Sequence, residues 1–225
     1  VSNGHYRLTG AITIGNVKLR SWPDGLSNRD TTIVDGNYPH VTNRCFVLNN
    51  AGSLVEGFTI TNGAYSRAAP DTWDLGGGGV NMTAGTLRYC RITGNRAING
   101  NGAGVCANNA NTIIDCCELI GNMNLGGWFG GGAHMRNNAQ LWNSLIKQNT
   151  SSTTYLYGGG GGVSSVGVKE VYNSVIVSNT AASGGGGVHC IGLLRNCLVF
   201  GNSATATSVD SGGGGLSAHD SSAST

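Results

Sequence analysis

Charge is what this chain has least of. Asp, Glu, Lys and Arg make up 11% of its residues and the formal net charge is only +2. No basic stripe is available to follow a phosphate backbone, so nucleic-acid binding is not expected. Proline is nearly absent, at three residues in 225, and no Gly-X-Y period accompanies the glycines, which excludes a collagen-like structure. No apolar run approaches the ~18–20 residues of a membrane-spanning helix, so this segment is not expected to enter a membrane. Helix-period spacing of apolar residues is missing as well, since glycine interrupts every candidate stretch. No secretion signal is visible and the chain opens on Val1, which reads as a mature or excised segment of a longer exported protein.

What is abundant is glycine, 39 of 225 residues, about two and a half times ordinary usage. It comes in runs that begin at Gly76, Gly102, Gly130, Gly158 and Gly184, with another at Gly212. Each run leads into an apolar residue: Val80, Val105, Ala133, Val163, Val188 and Leu216, spaced by 25, 28, 30, 25 and 28 residues. The second half of each unit aligns without gaps. Leu87-Arg88-Tyr89-Cys90-Arg91-Ile92-Thr93-Gly94-Asn95 matches the segments ending at Asn122, Asn149, Asn179 and Asn202. Its first position is aliphatic, the fourth is Cys or Ser, the sixth is aliphatic and the ninth is Asn.

A repeat of this length marks a stacked, quasi-one-dimensional fold. Short alternating segments such as Val80-Asn81-Met82 and Cys90-Arg91-Ile92, separated by Gly and Asn, read as strands. The expected fold is therefore all-β: a right-handed parallel β-helix with three short strands per rung. Residues 1–75 read as irregular N-terminal rungs and residues 76–225 as regular repeats of one continuous solenoid. About eight rungs at the ~4.8 Å strand spacing give a rod ~40 Å long. Asn95, Asn122, Asn149, Asn179 and Asn202 are expected to stack as a structural amide ladder. Cys90, Cys117 and Cys197 share a repeat position with Ser144 and Ser174 and read as packed thiols, because buried Cys behaves as a small hydrophobe. Without a Cys-x-x-Cys pair no metal site is expected, nor any cofactor.

The GGGV and [Ile/Leu/Val]-x-x-Asn pairs over residues 76–218 resemble the GGA[ILV] and FxxN repeats of chlamydial polymorphic outer-membrane proteins, which are surface adhesins. The whole chain is similar to bacterial right-handed parallel β-helix proteins of the pectate-lyase-like superfamily. Here Gly stands in place of the adhesins' Ala, and an aliphatic residue in place of their Phe. The resemblance implies a β-helix at a bacterial surface or secreted from the cell, with a structural or adhesive role. Independently of the resemblance, an uncapped rod end exposes unpaired strand groups that template end-to-end stacking. The expected partners are therefore copies of itself, end to end or lateral and assembled into filaments, or host and matrix glycans.

Chemistry is thinly represented. Eight Asp and three Glu do not recur at outward positions of adjacent rungs, and paired carboxylates at ~5–9.5 Å are what glycoside hydrolysis requires. The best catalytic constellation is the outer face of the first strand in each repeat, where alternation places Asn81, Cys106, His134, Ser164, His189 and Ser217 as exposed polar residues. Neighbours such as Cys106–His134 and Ser164–His189 invite a nucleophile–base reading, but no orienting carboxylate accompanies them and no catalytic residue is assigned. The aromatic residues Trp73, Trp128, Phe129, Tyr155 and Tyr157 all precede a glycine run. Together with His134 and His189 they are candidate contacts for a ligand or a neighbouring subunit. On that basis the alternative function is a carbohydrate-binding or polysaccharide-degrading β-helix.

Overall fold

The computed structural model describes residues 1–22, 28–68, 76–154, 158–166, 170–189, 192–205 and 212–217. Its strands belong to four parallel sheets, A, B, C and D, with eight, eight, seven and six strands. The chain visits them in the order A, D, B, C, as in the rung Arg91–Thr93, Arg96–Ile98, Val105–Ala107 and Thr112–Asp115. The result is a right-handed parallel β-helix of about seven turns, the hand that parallel crossovers take almost without exception. A full rung thus holds four strands, not the three expected. The bend at Asn95 separates Arg96–Ile98 from Arg91–Thr93, and this short segment pairs with its own copies as sheet D. The first two rungs lack that strand, and sheet D begins only at Ala64–Ser66.

Register places like over like. Ile60, Ile92, Leu119, Ile146 and Ile176 form one inward column of sheet A, each fully buried. Val55, Leu87, Ile114, Leu141 and Val171 do the same in sheet C. Each such side chain contributes roughly 1.5–3 kcal/mol by leaving water, and the core lengthens by one layer with every rung. The turn from sheet C to sheet A passes through Tyr89, Cys116, Asn143, Asn173 and Asn196, all left-handed with φ between 48° and 52°. Asn accepts this conformation more readily than most residues.

The asparagines at the A-to-D corner stack through the interior. The Nδ2 groups of Asn95, Asn122, Asn149 and Asn179 donate to the Oδ1 of the next copy at 2.9–3.0 Å. The same Oδ1 atoms accept the backbone N–H of the preceding asparagine at 2.9–3.1 Å. Each Nδ2 also donates to a strand carbonyl of the preceding rung, as Asn149 does to Leu119 at 2.8 Å. The glycine runs are explained by what they face. A Cβ on Gly132 would lie 2.6 Å from the Gly162 carbonyl oxygen and 2.9 Å from Asn149 Nδ2. Gly104, Gly162 and Gly187 stand in the same relation to Asn122, Asn179 and Asn202. The coil is narrow here, and only glycine lets the backbone pass over the ladder.

Candidate functional site

Pairing in sheet B aligns Asn81, Cys106, His134, Ser164, His189 and Ser217 in one column. Their exposure differs from the sequence reading. Cys106, His134 and Ser164 are fully buried and His189 is 2% exposed, so this is no open polar face. The cause is the connection from sheet D, which folds back over the outer side of sheet B. Phe129 in that connection is itself buried and stacks on the His134 ring, with centroids 5.0 Å apart and planes at 13°. Glycines complete the cover: a Cβ on Gly160 would meet Ser164 Cβ at 2.8 Å, and one on Gly184 would meet His189 Nδ1 at 2.8 Å.

Beneath this cover, His134 Nδ1 and Ser164 Oγ are hydrogen-bonded at 3.0 Å. The distance suits a nucleophile and base, but a substrate has no path to a pair with no exposed surface. Cys106 faces Asn108 Oδ1 at 3.5 Å, and burial pushes its thiol up to about 12, so it is neither a thiolate nor accessible. Among the described residues no group of three or more His, Cys, Asp or Glu is placed to hold a metal ion.

Of the aromatic candidates, Trp73, Tyr155 and Tyr157 lie outside the described residues. Trp128 is half-buried and meets Phe129 edge-on at 6.4 Å. Phe129 offers no ring to a ligand because it is spent on His134. Compared with known proteins, the chain matches no family model, no curated protein and no solved structure.

The outer face of sheet A is divided in two. Toward the N-terminus it carries ions: Glu118 bridges Arg29 at 3.0 Å and Arg91 at 2.8 Å, and Arg91 also reaches Asp30 at 2.7 Å. The segment bearing Arg29 and Asp30 is pinned across this face, its Arg29 carbonyl accepting Thr59 Oγ1 at 2.9 Å. Toward the C-terminus the face turns apolar. Leu145, Val175 and Leu198 form one column, and Ile120, Lys147, Val177 and Phe200 the other. Leu198 is 56% and Phe200 50% exposed. Sequence reasoning missed this surface, although a signal was present. Val175-Ile176-Val177 and Leu198-Val199-Phe200 are apolar at three successive positions, where a half-buried strand needs only the middle one.

The thiols yield a direct test. The six described cysteines are free; Cys45, Cys90, Cys106 and Cys117 are buried, whereas Cys116 and Cys197 are partly exposed. Cys190 lies outside the described residues. Alkylation of the native protein at about pH 8, mapped by mass spectrometry, is expected to modify Cys116 and Cys197 and spare the four buried thiols until denaturant is added. Rapid native labelling of Cys106 would show that the cover over sheet B is not closed. Burial also raises Cys45 from an ordinary 9.0 to about 12. Because the folded state holds this proton more tightly, its contribution to stability is complete below about pH 9 and is lost as pH rises toward 12.

Proposed function

We propose that the protein is a non-catalytic β-helix rod that works by association, in a structural or adhesive role. The observation that carries this reading is the apolar outer face of sheet A around Leu198 and Phe200. A parallel sheet whose outer face is largely apolar resembles a core cut in half, and such exposed patches mark interaction surfaces. The burial of His134 and Ser164 supports the same reading by leaving catalysis without access. Copies of the same chain are the partner favoured here, because an apolar sheet face can be buried against the same face of a second copy in an isologous pair. Placement outside the cell or at its surface rests on the resemblance of the glycine and asparagine repeats to those of surface adhesins.

Sedimentation velocity tests the reading. The wild type is expected to self-associate with rising concentration, and Leu198→Asp combined with Phe200→Asp to weaken association at least tenfold with the melting profile retained. Equal behaviour of the two proteins would overturn it. Glycan binding is the second reading, and Trp128, half-buried beside a glycine run, is what favours it. A glycan array on which wild type binds and Trp128→Ala does not would select that reading instead.

A further inference from the structure

The start of sheet D leaves a cavity. Ala64–Ser66 is the first strand of that sheet, and the two earlier rungs supply no strand beneath it. The space is about 290 Å³ and is lined by Ala11, Thr42, Asn43, Arg44, Tyr65 and Ser66, with Ala64. Arg44 takes the place of a glycine run at this level. Its Nη2 donates to the Gly76 carbonyl at 3.0 Å and its Nε to that of Gly77 at 3.3 Å. The guanidinium lies over the Tyr65 ring, 4.5 Å from the centroid.

Those carbonyls occupy only part of the five-donor fork, and they carry no net charge. Among the described residues no carboxylate forms an ion pair with Arg44. Burial draws its pKa down, the mark of a charge held short of solvent. Arg96 is in register with Ala64 of the cavity wall, lies 5.6 Å from the Tyr38 ring centroid, and likewise joins no ion pair among the described residues. A partly desolvated cation in the wall of a cavity that also presents Thr42, Asn43 and Ser66 is relieved most effectively by an anion. The planar fork matches a carboxylate, and an aromatic ring behind it holds the fork in place.

We propose that this cavity is a binding site for a carboxylate carried on a compact polar molecule, seated on Arg44 between Thr42 and Ser66. The site is separate from the apolar face of sheet A and does not depend on it. The test is NMR titration of the intact chain with lactate, with the uncharged isostere lactamide and inorganic phosphate as comparators. Lactate is expected to give saturable shifts at the Arg44 Nε–H and the Tyr65 and Ser66 amides, with affinity at least tenfold above that of either comparator. Arg44→Lys, which keeps the charge and loses the fork, is expected to weaken lactate binding severalfold. Because Arg44 also caps the glycine runs, a second variant leaves it untouched: Thr42→Trp, at an exposed position on the rim, fills the cavity and is expected to abolish the shifts with an unchanged melt. Three outcomes overturn the proposal: no saturable shifts with lactate, lactamide or phosphate binding as tightly as lactate, or a folded Thr42→Trp protein that binds lactate like wild type.

Discussion

Replacing Asn149 by Leu is expected to lower the unfolding free energy by about 4 kcal/mol, one of the two largest single-site effects in the molecule. Asn149 is fully buried and sits mid-ladder. Its Nδ2 donates to the Leu119 carbonyl at 2.8 Å and to Asn179 Oδ1 at 3.0 Å. Its Oδ1 accepts both the backbone N–H and the Nδ2 of Asn122 at 2.9 Å. Leucine fills similar space but removes four buried hydrogen bonds, each worth ~0.5–1.5 kcal/mol. It leaves the Asn122 backbone N–H without its acceptor, while Asn179 Oδ1 keeps the Asn149 N–H and Asn122 Nδ2 keeps the Ile92 carbonyl. The control lies on the outer corner. Asn173 also bonds to its copies, accepting from Asn196 at 2.8 Å and donating to Asn143 at 3.2 Å, but in exposed positions. Asn173→Gly, which keeps the left-handed turn at φ 48°, is expected to cost under about 1 kcal/mol, since water replaces the lost partners. Urea denaturation separates the two, and equal losses would mean that the buried ladder has no special weight.

The second large effect is expected at Gly132. An alanine there places its Cβ 2.6 Å from the Gly162 carbonyl oxygen and 2.9 Å from Asn149 Nδ2. Neither obstacle is the free end of a flexible side chain: one is backbone of the next rung and the other is held in the ladder. Relief requires the rungs to part, breaking the bond from the Gly132 N–H to the Gly162 carbonyl at 3.0 Å. A loss of about 3 kcal/mol or more is expected, at the upper end for overpacking. Gly10→Ala is the comparison, because a Cβ at Gly10 meets nothing within 4 Å, and it should change stability by no more than about 0.5 kcal/mol. Thermal melts of the two variants side by side decide the matter; a Gly132→Ala protein as stable as wild type would show that the glycine column is not needed for close approach.

The architecture was legible because a solenoid writes its register into its sequence. Aliphatic residues at one repeat position had to stack on their copies, and Ile92, Leu119, Ile146 and Ile176 do so. The number of strands per rung was not legible. Arg96–Ile98 is three residues long and follows Asn95 directly, so only pairing with its copies, a long-range property, distinguishes it from a loop. Exposure was the other failure. Alternation correctly gave the side of sheet B on which His134 and Ser164 lie, but it carries no information about a loop folding over that side, and Phe129 does so. The apolar face of sheet A went unread for the opposite reason. Val175 and Val177 flank an inward Ile176 and look like more core, although a third core residue in a row has nowhere inward to point. The cavity at Arg44 had no sequence signal, because it arises from a strand that two rungs do not have.

The stacking of like over like is tested most directly by the side-chain amides of Asn95, Asn122, Asn149, Asn179 and Asn202 in a nitrogen-15-edited NOE spectrum. The fold requires one unbroken series, in which each Nδ2 group sees the asparagines one repeat before and one repeat after it and no others. Amides that connect out of that order, or that exchange freely with solvent and show no mutual contacts, would contradict it.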